Sequence, residues 1–343
     1  VSGEKLAGPF PHTGSILREV AMSRDGKFVY STGNDGCVRC IDVDENKEAW
    51  VYRYVSKSKR SGNPSRAVPV AVSDDGTRVL TGFGDGAIAL LDAKTGKVIH
   101  QGVCHDTLIW KLSFLPGETE HFASASFGGT ARVWHFRAQA FRGTTRPLHH
   151  TAWIYDLEVS PCGTRMATAS YDGTAVVWDT STGRRITAPL NHRDHVYDVA
   201  FSADGLLLAT ASRDHLARVW DVATGELIVA PIVHDHTVNR VAFSPEGGRL
   251  LTSSRDSKVR LWDIRRRAAW PLQVRHRSAV HWVGFDRDDS SFVTWEPDGR
   301  ASEWRTSDGK KIGLTIPLPK NPGMLEVGRQ NDGILEAFEV EMA

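Results

Sequence analysis

Cysteine is scarce in this sequence: Cys37, Cys40, Cys104 and Cys162 are the only four in 343 residues. Four thiols cannot staple a chain of that length, which speaks for a reducing, cytoplasmic setting and against a disulfide scaffold. Long hydrophobic runs are missing too. No stretch approaches the roughly 18 consecutive apolar residues of a membrane span. Residues 1–30 contain no basic segment followed by an apolar one, so no secretory leader is read. A surplus of one charge is also absent, with 42 Lys and Arg against 41 Asp and Glu. That balance removes the nonspecific attraction on which binders of nucleic acid or anionic membrane rely. The metal and phosphate signatures HExxH, paired CxxC and a glycine-rich phosphate loop do not occur. Cys37 and Cys40 have CxxC spacing, but they fall in a β-rich run where residues three apart face opposite ways, which argues against a redox pair or half a zinc site. The sequence begins at Val1, and the expectation is a chain processed or cut from a longer one.

What is present is repetition. The segments 131–135 (ARVWH), 175–179 (AVVWD), 217–221 (ARVWD), 259–263 (VRLWD) and 301–305 (ASEWR) place Trp at 134, 178, 220, 262 and 304, a period of 44 and then 42 three times. Extended backwards, the pattern finds Leu91 and Ile41 in the tryptophan slot, so seven repeats are visible. Within each, short β-rich runs alternate with turn signals such as Ala203-Asp204-Gly205 and Thr224-Gly225, which gives four strands per repeat. Such a unit cannot bury its faces alone, and closing a ring protects the edges of all of them. The expectation is an all-β fold, a β-propeller of seven four-stranded antiparallel blades formed as a single domain over 1–343. Residues 324–343 read as a decayed partial repeat, the start of an eighth, while Gly3 to His12 read as an outer strand.

Four repeats carry His, Thr, Asp and Trp at identical offsets: His150, Thr168, Asp172, Trp178; His192, Thr210, Asp214, Trp220; His234, Thr252, Asp256, Trp262; and His276, Thr294, Asp298, Trp304. One copy would suggest a nucleophile with its base and orienting carboxylate. Four copies suggest a structural device, because chemistry needs one site, whereas a fastener recurs with its repeat. Repeat three has His105, Ser124 and Trp134 but Gly128 in the Asp slot, and repeats one and two lack the Trp. The first three blades are therefore expected to be held more by apolar packing.

These residues resemble the WD40 repeat over nearly the whole chain, with the pairs Trp178-Asp179, Trp220-Asp221 and Trp262-Asp263 and a His 28 residues ahead of each Trp in four repeats. The resemblance implies that the four-residue set is structural and that no cofactor is needed. It also implies a non-catalytic scaffold docking a protein or peptide on its top face, as one domain of a larger signalling or assembly protein. In this family, contact positions fall at the start of the innermost strand and in the turn before the Trp strand. Carried onto this sequence, they select Arg18, Arg66, Trp110, Phe127, Trp153, Tyr155, Tyr171, His195, Tyr197, Arg213, Asn239, Arg255 and His281. Trp110, Trp153, Tyr155 and Tyr197 would be the anchors and Arg213 and Arg255 the guides. Such a surface suits a peptide with apolar anchors and acidic groups. The long link Ser56 to Arg66 would add positive charge beside Arg18. Two other readings have less support: a channel enzyme or metal site, for which His195 and His281 alone are a weak constellation, and an RNA-binding propeller, which lacks net charge.

Overall fold

The structure, a computed structural model, describes residues 16–56, 65–265, 272–297 and 300–313, together with the short strands Ile316–Pro317 and Glu326–Val327. They form seven sheets whose strands pair in sequence order, antiparallel, from an inner strand to an outer one. Each inner strand lies beside the next: Leu17–Met22, Ala67–Val72, Ile109–Phe114, Ile154–Val159, Val196–Phe201, Val238–Phe243 and Trp282–Phe285. This is the seven-bladed β-propeller that the period requires.

On the free side of the first inner strand, Glu326–Val327 runs parallel to it, with Glu19 opposite Glu326. That strand falls within residues 324–343, where the sequence suggested a decayed partial repeat. The outer strand read over Gly3 to His12 lies outside the described residues. Cys37 and Cys40 sit on the strand Cys37–Asp42, both free and buried, in agreement with a packing role.

Alternation along the strands builds the core as apolar layers between blades. Ala167, Ala169 and Val177 of blade four pack with Val196, Val199, Leu208 and Trp220 of blade five. Tight turns join the strands. At Gly86 the backbone has φ +87°, and a Cβ there would lie 1.9 Å from the His105 carbonyl oxygen, so the turn admits only glycine.

A second device sits at the channel wall. The carboxylates of Glu19, Asp156 and Asp198 accept the backbone N–H of Val70, Val199 and Val241 on the next blade's inner strand, at 2.8, 3.2 and 2.7 Å. Lys111 pairs with Glu19 at 3.3 Å and Arg240 with Asp198 at 2.6 Å. Acids lining this cavity of about 130 Å³ thus fasten blade to blade. Their constant place, 22 residues before the tryptophan slot, was a signal in the sequence.

Candidate docking face

In blades four and five the repeated side chains form an unbroken hydrogen-bond chain. Trp178 Nε1 donates to Thr168 Oγ1 at 2.9 Å, the hydroxyl lies 2.7 Å from His150 Nε2, and His150 Nδ1 lies 2.9 Å from Asp172 Oδ2. Trp220, Thr210, His192 and Asp214 repeat it at 3.0, 2.7 and 3.1 Å. One neutral tautomer, with its proton on Nδ1, satisfies every member. Burial works to raise the Asp172 and Asp214 carboxyls, but hydrogen bonds from His150 and Thr174 to the first and from His192 and Arg218 to the second, together with the pull of the histidines and backbone N–H groups, outweigh it and hold both well below the usual carboxylate range. Thr168 and Thr210 are fully buried, so neither hydroxyl faces a substrate.

Elsewhere the set departs from the expected pattern. Trp262 and Trp304 donate to Thr252 and Thr294 at 3.0 and 2.9 Å, yet both indoles are only half-buried. Among the described residues, Nε2 of His234 and of His276 has no partner. In blade seven the carboxylate is that of Glu296, 3.2 Å from His276 Nδ1. It stands two residues before the expected slot and has the longer side chain, whereas Asp298 lies outside the described residues.

Blade three keeps Trp134 Nε1 2.8 Å and His105 Nε2 2.7 Å from Ser124 Oγ, and Thr130 Oγ1 takes His105 Nδ1 at 2.7 Å in place of a carboxylate. Burial, aided by the Arg132 charge, pulls His105 down to about 3. In blade two Asp85 accepts from the Tyr54 hydroxyl at 2.7 Å and from Ser56, while Thr81 has a buried hydroxyl with no partner among the described residues. Blades two and three therefore keep polar bonds of their own beside their apolar layers.

The positions expected to meet a partner share a backbone feature. Arg18, Trp110, Tyr155, Tyr197 and Asn239 are each the unpaired residue where the inner strand shifts register against its neighbour. A bulge of this kind re-aims one side chain out of the sheet pattern. The same irregularity in blade two spans Val68 and Pro69.

The structure brings the aromatic positions into one belt. Ring centroids follow one another from Trp110 to Phe127 at 4.6 Å, Phe127 to Trp153 at 5.0 Å, Trp153 to Tyr171 at 5.5 Å and Tyr171 to His195 at 3.3 Å. Tyr155 lies 5.9 Å from Tyr171 and 5.0 Å from Tyr197. Trp153 is 48% exposed and Tyr171 39%, whereas Trp110 is only 8% exposed, packed on Val68, Leu108 and Phe127. Trp110 is therefore the floor of the belt and not an anchor on its surface. Phe127, Tyr155, His195 and Tyr197 are half-buried. His195 is not free, since its Nδ1 lies 2.7 Å from the Tyr171 carbonyl oxygen.

Arginines stand at both ends. Arg213 and Arg255 are exposed; Arg213 Nε is 3.6 Å from Asp194, and Arg255 Nε donates to Asn239 at 3.4 Å. Asn239 in turn donates to the Val280 carbonyl at 2.9 Å. Burial raises Tyr155, the charges of Tyr197 and Tyr171 add to that, and Arg213 and Arg255 oppose them. His281 is half-buried and held below its ordinary value by burial and then by Arg255 and Arg240. At the other end, Arg18 and Arg66 are both half-buried.

These features define the class: a seven-bladed propeller with a channel mouth rimmed by bulged side chains. A family model described as "WD domain, G-beta repeat" matches residues 4–42, 143–179, 184–221 and 227–263. Four WD40 repeats are thus found in the chain. A crystal structure of the computationally designed Ika8 protein is similar with a TM-score of 0.76 over 92% of each chain, at 20% identity, a likeness of fold alone. No curated protein matches the chain at a significant level.

Proposed function

We propose that this propeller is a non-catalytic interaction scaffold that docks a protein segment on its top face, across blades three to five. The observation that carries the reading is the continuous belt from Phe127 to Tyr197, with Trp153 48% and Tyr171 39% exposed. Exposed, contiguous aromatic surface on a folded domain marks a place where a partner removes it from water. Trp153, Tyr171, Tyr155 and Tyr197 supply the contact area, with Trp110 beneath. Arg213 and Arg255 favour acidic residues beside the apolar anchor.

The test is a panel of peptides that place one aromatic or leucine residue beside Asp or Glu, titrated against the parent, Trp153→Ala and Tyr197→Ala. Leu206→Ser, in the turn at the opposite end of blade five, is the control. Each rim truncation is expected to weaken binding about tenfold or more, as for an interface anchor. Equal binding by the rim variants, or loss confined to Leu206→Ser, would assign the wrong face.

A further inference from the structure

Arg18 and Arg66 project beside each other where the inner strands of blades one and two meet. Arg18 occupies the bulge of Leu17–Met22, and Arg66 immediately precedes Ala67–Val72. Thr32 Oγ1 donates to the Val68 carbonyl at 2.8 Å and Val70 N–H to Glu19 at 2.8 Å, so the two strands are pinned at this point. Arg18 Nε donates to Asn34 Oδ1 at 2.7 Å, a neutral acceptor.

Neither arginine has an ion-pair partner among the described residues, and the carboxylates around them are engaged. Asp35 pairs with Arg39 at 3.1 Å, Glu19 with Lys111 at 3.3 Å, and Asp85 accepts from Tyr54 at 2.7 Å. Both guanidiniums are held below their ordinary value, Arg18 by burial and by the charge of Arg66, and Arg66 by burial. Two like charges, half out of water and without a counter-charge, are a cost that a doubly charged oxyanion relieves. The planar guanidinium fork matches phosphate oxygens in bidentate fashion.

We propose that Arg18 and Arg66 form a phosphate-binding subsite and that the docked segment carries a phosphorylated side chain there. The subsite rests on the docking reading and extends it: Val68, the next rim position, packs against Trp110 and Phe127, so the pair borders the aromatic belt. A segment lying along the rim would meet the belt with its apolar anchor and the arginine pair with its phosphate. A single carboxylate offers half the charge and fewer acceptor oxygens, which makes the phosphate the better fit.

The experiment titrates the full chain with inorganic phosphate and with peptides from the panel in three forms, bearing phosphoserine, glutamate or serine at one end. Parent, Arg18→Ala, Arg66→Ala and Arg265→Ala are compared. Arg265 is a control away from the subsite, since its guanidinium donates to the Glu246 carbonyl at 2.9 Å. Phosphoserine is expected to tighten peptide binding at least about tenfold over serine, the equivalent of one charge-assisted hydrogen bond. That gain should vanish in Arg18→Ala and Arg66→Ala and persist in Arg265→Ala, with circular dichroism showing all four folded. Inorganic phosphate that binds while the phosphopeptide gains nothing would overturn the assignment to a phosphorylated segment. A phosphate gain that survives both substitutions would overturn the subsite. Serine peptides that still need Trp153 in either case would leave the docking face standing and sink only the phosphate inference.

Discussion

Blade five and blade two carry the same threonine at the same depth and use it in opposite ways. Thr210 Oγ1 receives the Trp220 indole at 3.0 Å and lies 2.7 Å from His192. Thr81 is equally buried, but with Leu91 in the tryptophan slot its hydroxyl has no partner among the described residues. Both blades nonetheless adopt the same four-stranded sheet. The difference teaches that strand period and apolar layers make the blade, while the polar set ties together the strands of the one blade that carries it. The family model does not follow the polar set: it matches residues 4–42, which hold no tryptophan, and not the seventh repeat, which has Trp304.

The largest effect expected from this contrast comes from removing the hydroxyl in each blade. Thr210→Val strands the buried Trp220 N–H and the His192 imidazole together, so we expect a loss of about 2 to 4 kcal/mol in denaturant unfolding. Thr81→Val removes an unpaired hydroxyl from an apolar site and should be neutral or stabilising by up to about 1 kcal/mol. Equal losses would show that the Thr81 hydroxyl is satisfied in solution.

A smaller effect is the acid response. His105, His192, His234 and His276 are all held below their ordinary value, first of all by burial, so the folded state resists their protonation more than the unfolded chain does. Their contribution is complete above the unfolded value of about 6.5 and is lost as pH falls through it towards the folded values, about 3 for His105. Asp172 and Asp214 add a second loss below about pH 4, because their folded carboxyls are depressed. Gly128→Asp sharpens the comparison between blades. A carboxylate in the slot that blade three leaves empty should raise the His105 value in an NMR titration, with a stability change within about 1 kcal/mol. A Cβ there would meet Thr107 Oγ1 at 3.0 Å, the end of a side chain that can turn aside. No movement of His105 would mean that the new side chain points elsewhere.

The fold was legible because its signal repeats: a Trp every 42 residues fixes the strand phase, and four copies of His, Thr and Asp exposed a fastener posing as a triad. Legibility failed where one residue type stands in for another by reach. Glu296 reaches His276 from two residues before the expected slot through its extra methylene, and Tyr54 reaches Asp85 from a position the histidine offset does not mark. The rim positions were legible as a register, and Trp153 and Tyr171 do lie exposed on it. The register does not show depth, so Trp110 read as an anchor although the bulge lays its ring beneath Phe127. Nor does it show the acids of the channel wall, whose partners are backbone groups of the next blade.

The most direct measurement crosses two substitutions with two readouts, thermal unfolding and titration of one panel peptide that binds the parent. His192→Ala leaves Thr210 and Asp214 without their bridge and should lower stability by about 1 to 3 kcal/mol while the peptide binds as before. Trp153→Ala removes a half-exposed rim ring and should leave the melting temperature within a degree or two while binding falls about tenfold or more. A His192→Ala protein that melts like the parent but no longer binds, beside a Trp153→Ala protein that binds normally, would contradict the division of labour between fastened blades and docking rim.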